Sequence, residues 1–223
     1  TAQYAVAVIS LLWNTAFAQE FVTGENPARR VRRPKIDNRR LRFLSKDEAD
    51  ALLVEIKTVS LNLHDECLLA LYCGLRAGEI HNLMWGDIDF GNGQILIRDP
   101  KNGQNRFAFL TEPVKAMLER RFTRQDKESL LFPTATGKKR AQVSRAFGDC
   151  VEKLGLNAGV NDPRQKVVFH TLRHTFASWL VQKGVPLHTV AELMGHRSIA
   201  MTQRYAHLSP ESLRNAVNLL QGA

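Results

Sequence analysis

Four residues between Phe169 and His207 could act together on an anion: His170, Arg173, His196 and Tyr205. A histidine and an arginine three positions apart on a helix share a face, so His170 and Arg173 can converge on one ligand. Their donors suit a negatively charged one. Tyrosine adds a phenol, which becomes a nucleophile when its proton, with a pKa near ~10, is taken away or its anion is stabilised.

The elements that position these residues are legible locally. Pro186 suits the first turn of a helix through Leu187, Val190, Ala191 and Met194, and Gly195 stands where a C-terminal glycine is expected. His196 therefore falls in a turn. Ser198 can cap a short helix carrying Ile199, Met201, Thr202 and, late on it, Tyr205. Phe176, Trp179 and Leu180 read as core positions on the His170 helix. His170 and His174 also share a helix face, but no third ligand with supporting spacing makes a metal site of them.

Earlier in the chain, Ser45 and Glu48 form a capping-box pattern opening a helix through Ala49, Leu52, Leu53 and Ile56. A second helix runs through Cys67, Leu68, Leu71 and Tyr72 and ends at Gly74. Arg76 stands just before a further helix beginning near Gly78, whose free amides also favour an anion. Residues 94–98 and 106–110 alternate as strands, with Asn102-Gly103 as the turn between them and Lys101 beside it. A helix over 112–122 follows, opened by Thr111 and Pro113. Lys138, Lys139 and Arg140 lie in a basic loop, and the stretch before Phe169 reads as loop.

These motifs resemble the tyrosine recombinases, the phage integrase family. The resemblance rests on Arg76 within YCGLRAGEIHNLMWGDID, on His170-Thr171-Leu172-Arg173-His174, on Leu193-Met194-Gly195-His196 and on Thr202-Gln203-Arg204-Tyr205, and it covers roughly residues 40 to 210. It implies an α+β fold, mainly helical, with a small antiparallel β-sheet. It also implies a site-specific DNA recombinase, of phage or prophage integrase type, working through a 3′-phosphotyrosine without metal or cofactor. Arg76 and Arg173 would hold the scissile phosphate with His170 and His196, Tyr205 would attack, and His170 would serve as base. Lys101 would protonate the leaving 5′ hydroxyl, although Asp99-Pro100 before it and Ala108-Phe109-Leu110 after it depart from the family pattern. Glu79 would position its neighbours and His174 would pack beside the site as a structural residue. The alternatives are a chromosome-dimer resolvase, a type IB topoisomerase-like activity, or an architectural DNA-binding module without catalysis.

Composition favours a polyanionic partner or an anionic surface, and basicity alone does not choose between them. Lys and Arg number 31 against 22 Asp and Glu, for a formal charge of +9. Cys67, Cys73 and Cys150 form no CxxC pattern and read as buried thiols of a reducing compartment. No apolar run is long enough to span a bilayer, so a soluble protein is expected; the family resemblance implies the bacterial cytoplasm, in association with the nucleoid. The opening residues lack the basic segment of a signal peptide and read as a helix.

In domain terms, residues 1–26 are expected to be the remnant of a helical core-binding domain, 27–42 a basic linker lying along phosphates, and 43–208 the catalytic domain. Residues 209–223 are expected to form a C-terminal helix whose apolar stripe packs on its own domain or, as the family resemblance implies, docks on a neighbouring protomer. The implied partners are double-stranded DNA at attachment or core sites, further copies in a tetramer on DNA, and an accessory DNA-bending protein or excisionase.

Overall fold

The computed structural model describes residues 2–31, 42–98, 105–122, 126–208 and 218. The chain divides into two compact units, 1–38 and 39–223.

In the first unit, helix α1 (Ala2–Ala18) buries none of its residues, and Tyr4, Leu11 and Leu12 are exposed. The 3-10 turn Pro27–Arg30 is tied to it by Asn26. The Asn26 amide donates to the Ser10 carbonyl at 3.2 Å and to Asn14 Oδ1 at 2.9 Å, while its own oxygen accepts from Ala28 N at 2.9 Å.

The second unit is built on helix α3 (Leu61–Tyr72), most of whose residues are buried. Around it pack α2 (Lys46–Val59), α5 (Glu112–Arg121) and α7 (Phe169–Gln182). The expected capping box opens α2: Ser45 Oγ accepts from Glu48 N at 3.1 Å and Glu48 Oε2 accepts from Ser45 N at 2.9 Å. Asp65 of α3 is fully buried, at 2.7 Å from Arg120 and 2.8 Å from Arg121 of α5. A charge in that position is tolerated because both partners reach it.

Strands β1 (Ile88–Asp89), β2 (Gln94–Ile97) and β3 (Arg106–Phe109) form an antiparallel sheet in that order. Pairing of Ile95 with Ala108 and of Ile97 with Arg106 turns Ile95, Ile97 and Ala108 into the core. The alternate residues Phe107 and Phe109 face outward, as the two-residue period requires. Lys101 and the Asn102-Gly103 turn lie outside the described residues, as does the expected helix over 209–223 apart from residue 218.

Helix α4 (Ala77–Ile80) follows Arg76. Helix α6 (Ala146–Lys153), which the sequence reading did not expect, lays Phe147, Cys150 and Val151 into the core and contacts α2. Helix α8 (Leu187–Met194) follows Pro186. Beyond it the expected single helix is instead two 3-10 segments, Ile199–Met201 and Gln203–Leu208. They break at Thr202, whose side chain is fully buried and bonded to His196.

The core has two parts. The larger surrounds α3, while a smaller cluster joins Ala177, Val181, Val190, Met194 and Tyr205. Among the described residues no helix is long and apolar enough to cross a membrane. All three cysteines are free and buried.

Candidate active site

The centre of the site is a carboxylate. Gly74, at φ +65, lets the chain turn off α3. A Cβ there would come within 2.5 Å of the Phe176 ring, so glycine is required twice over. The turn leads directly into Arg76 and the four residues of α4. Glu79 then reaches back: its Oε2 accepts from Arg76 N at 2.7 Å and its Oε1 from Arg76 Nη1 at 2.8 Å. The same Oε2 accepts from Arg106 Nη2 at 2.8 Å, and Arg173 Nη1 stands 3.7 Å away. Burial would raise the Glu79 pKa, but the charges of Arg106 and Arg173 outweigh it and hold the carboxyl ionised, below its ordinary value. One carboxylate among three guanidinium groups leaves the pocket strongly positive.

Arg173 is the deepest member, 1% exposed on α7. Its two terminal nitrogens donate to the carbonyls of Gly74 and Met194, joining the end of α3 to the end of α8. Burial and the neighbouring Arg76 disfavour its charge, and Glu79 opposes them. Its pKa falls to about 9, so the guanidinium is still charged at pH 7. Arg106, from β3, was read from sequence only as a strand residue. It belongs to the cluster, and among the described residues its Nη1 is buried without a hydrogen-bond partner.

Helix α8 ends at Gly195 in the left-handed conformation, φ 59 and ψ 48. A Cβ at Gly195 would lie 2.3 Å from Arg106 Nε. The turn thus hands the chain to His196 while leaving room for Arg106. His196 Nδ1 lies 2.7 Å from Thr202 Oγ1. Burial, followed by the charges of Arg173, Arg76, Arg204 and Arg106, pushes the His196 pKa down to about 4, so the ring is neutral at pH 7.

Tyr205 is 4% exposed and sits in the smaller apolar cluster. Burial pushes its pKa up to about 12, against the opposing charges of Arg204 and Arg173. Its hydroxyl lies 2.5 Å from Nδ1 of His174, which is 5% exposed. The sequence reading packs His174 beside the site, and the structure puts it in direct contact with the phenol. His170 is exposed one turn earlier on α7, its ring edge-on to His174 with centroids 4.7 Å apart. Arg76, Arg173 and His196 are therefore brought to one electrostatic centre, with Tyr205 beside it.

A family model described as the phage integrase family matches residues 42–212. A tyrosine recombinase of Pseudothermotoga lettingae is 32% identical over 203 residues, covering 89% of this chain and 68% of the relative. Tyrosine recombinase XerA of Pyrococcus horikoshii is 29% identical over 197 residues, covering 86% of this chain and 66% of its own length. A putative integrase of Pseudomonas phage Pf1 is 36% identical over 199 residues, covering 87% and 54%. The chain thus spans about two thirds of the length of the first two relatives and about half of the third. Among solved structures, the integrase of transposon Tn1549 in complex with a circular intermediate DNA matches with a TM-score of 0.72 at 22% identity, over 98% of this chain and 78% of that one. The catalytic domain of bacteriophage HP1 integrase matches with a TM-score of 0.60 at 24% identity, over 79% and 93%. The two structural likenesses bear on the fold, and the match over residues 42–212 decides the lineage: the chain belongs to the phage integrase family, the tyrosine-type site-specific recombinases.

Proposed function

We propose that this chain cleaves and rejoins double-stranded DNA at attachment or core sites, as a phage or prophage integrase, through a 3′-phosphotyrosine on Tyr205. The observation that carries this reading is the gathering of Arg76, Arg106 and Arg173 on Glu79 beside His196 and the tyrosine. Such a pocket suits a phosphodiester, whose nonbridging oxygens gain negative charge as the nucleophile arrives.

In the proposed step the Tyr205 oxygen bonds to phosphorus, the bond to the 5′ oxygen breaks, and that oxygen takes a proton from Lys101. Arg76 and Arg173 hold the nonbridging oxygens as planar donor forks. Neutral His196, with Nδ1 2.7 Å from Thr202 Oγ1, offers an Nε2 proton to the same oxygens in the tautomer in which Nδ1 is the acceptor. His170 completes the donor set. The phosphotyrosine keeps the energy of the broken linkage, so a 5′ hydroxyl from another strand reverses the step.

The remaining assignments belong to this reading. The basic linker of residues 27–42 lies along backbone phosphates, and residues 209–223 dock on a neighbouring protomer in a tetramer on DNA. An accessory bending protein or excisionase sets the direction, and the reaction takes place on nucleoid DNA in the bacterial cytoplasm.

The test is a nicked duplex carrying the core site, incubated with the protein and run on a denaturing gel. A covalent adduct lost in Tyr205→Phe is expected. DNA binding without adduct, persisting in the longer protein on its verified site, would leave an architectural role. Relaxation of supercoiled plasmid without exchange between two sites would indicate a topoisomerase.

A further inference from the structure

We infer that His174 is a catalytic residue, the group that receives the Tyr205 proton as the phenol attacks and returns it when the DNA is rejoined. The inference rests on the reading of Tyr205 as nucleophile and moves the role of base, which the family resemblance implies for His170, to His174, the imidazole that touches the phenol.

Three observations carry it. The first is contact: His174 Nδ1 is 2.5 Å from the Tyr205 hydroxyl, within range for direct proton transfer. The second is seclusion. Both side chains are buried, at 5% and 4% exposure, so bulk water has poor access to the phenol as a competing acceptor. The third is rigidity. His174 follows Arg173 on α7, a helix fixed by the bonds of Arg173 to Gly74 and Met194, and Leu44 N donates to Thr175 Oγ1 at 2.9 Å on its other side. The acceptor is therefore anchored to the same frame as the phosphate-binding arginine.

The protons balance without a further reactant. Neutral His174 takes the phenolic proton while the phenolate forms its bond to phosphorus, and the leaving 5′ oxygen is protonated separately. In rejoining, the imidazolium returns its proton to the departing phenolate. Burial, which raises the phenol's pKa to about 12, makes such an acceptor necessary near neutral pH.

The test replaces Tyr205 with 3,5-difluorotyrosine, whose hydroxyl ionises far more readily, in wild type, His174→Gln and His170→Gln. Glutamine can keep a hydrogen bond but cannot take a proton. Adduct formation on the nicked duplex is timed at neutral pH, and thermal melts check that each variant is folded. His174→Gln is expected to slow cleavage by about 10²- to 10⁴-fold, the usual worth of a general base. Difluorotyrosine is expected to restore at least ~10-fold more in that background than in wild type, as the loss of a base within the same range predicts. His170→Gln should show no such selective rescue. Cleavage by His174→Gln near the wild-type rate, a slow variant that difluorotyrosine does not rescue, or rescue confined to His170→Gln would overturn the inference while leaving the nucleophile in place. Absence of adduct in wild type, or its persistence in Tyr205→Phe, would remove the reading beneath it.

Discussion

Arg106 Nη2 meets Glu79 Oε2 at 2.8 Å, across 27 positions of sequence, and so ties strand β3 to the short helix after Arg76. Glu79→Gln keeps the shape and removes the charge. Arg106 and Arg173 then become buried guanidiniums without a counter-charge, a situation that costs about 3 kcal/mol or more. Urea unfolding should show a loss of that order, with a fall in covalent adduct. An unchanged midpoint would mean that the arginines do not depend on the carboxylate.

The depressed pKa of His196 gives a pH signature. In the folded protein the ring protonates only near 4, whereas in the unfolded chain it protonates near the ordinary value of 6.5. Between these values the unfolded chain binds more protons, so stability rises with pH through this window and is lost as pH falls through it. The urea midpoint of the wild type should therefore drop between pH 6.5 and pH 4, and the drop should be smaller in His196→Gln. Equal drops in the two proteins would remove His196 as a source.

Gly195 and Gly93 separate two reasons for glycine. Both have positive φ, 59 and 64, but only Gly195 faces a side chain where its Cβ would stand. Gly93→Ala should cost about 1 kcal/mol for the left-handed backbone alone. Gly195→Ala should cost clearly more and lower adduct formation, because Arg106 must move. Equal denaturant midpoints for the two variants would show that Arg106 yields its place freely.

Much of this arrangement was legible because it depends on local signals. The Ser45–Glu48 capping box, the Gly195 helix end and the alternation of β2 and β3 each specify structure within a few residues. Helix α6 was not legible: it is short, contains Gly148, and shows its apolar face through only Phe147, Cys150 and Val151. The two-residue strand β1 carries too little pattern to stand out. Arg106 was missed, and the contact that His174 makes was not foreseen, for another reason. Arg106 acts through a partner brought near by the sheet. The direction in which His174 points acquires meaning only when the chain beyond Gly195 returns Tyr205 to α7. Spacing places a residue on a helix face, but long-range return of the chain decides what that face meets.

The carboxylate beneath the arginines also bears on the entropy of binding. Glu79 holds Arg76 and Arg106 by hydrogen bonds, and the carbonyls of Gly74 and Met194 hold Arg173, all from within the chain. Long basic side chains on an open surface lose rotamer freedom when an anion arrives, at roughly 0.5–1.5 kcal/mol for each one immobilised. Here that ordering accompanies folding instead. A phosphate arriving at this pocket meets a pre-organised cradle, and more of the attraction between opposite charges is retained as affinity.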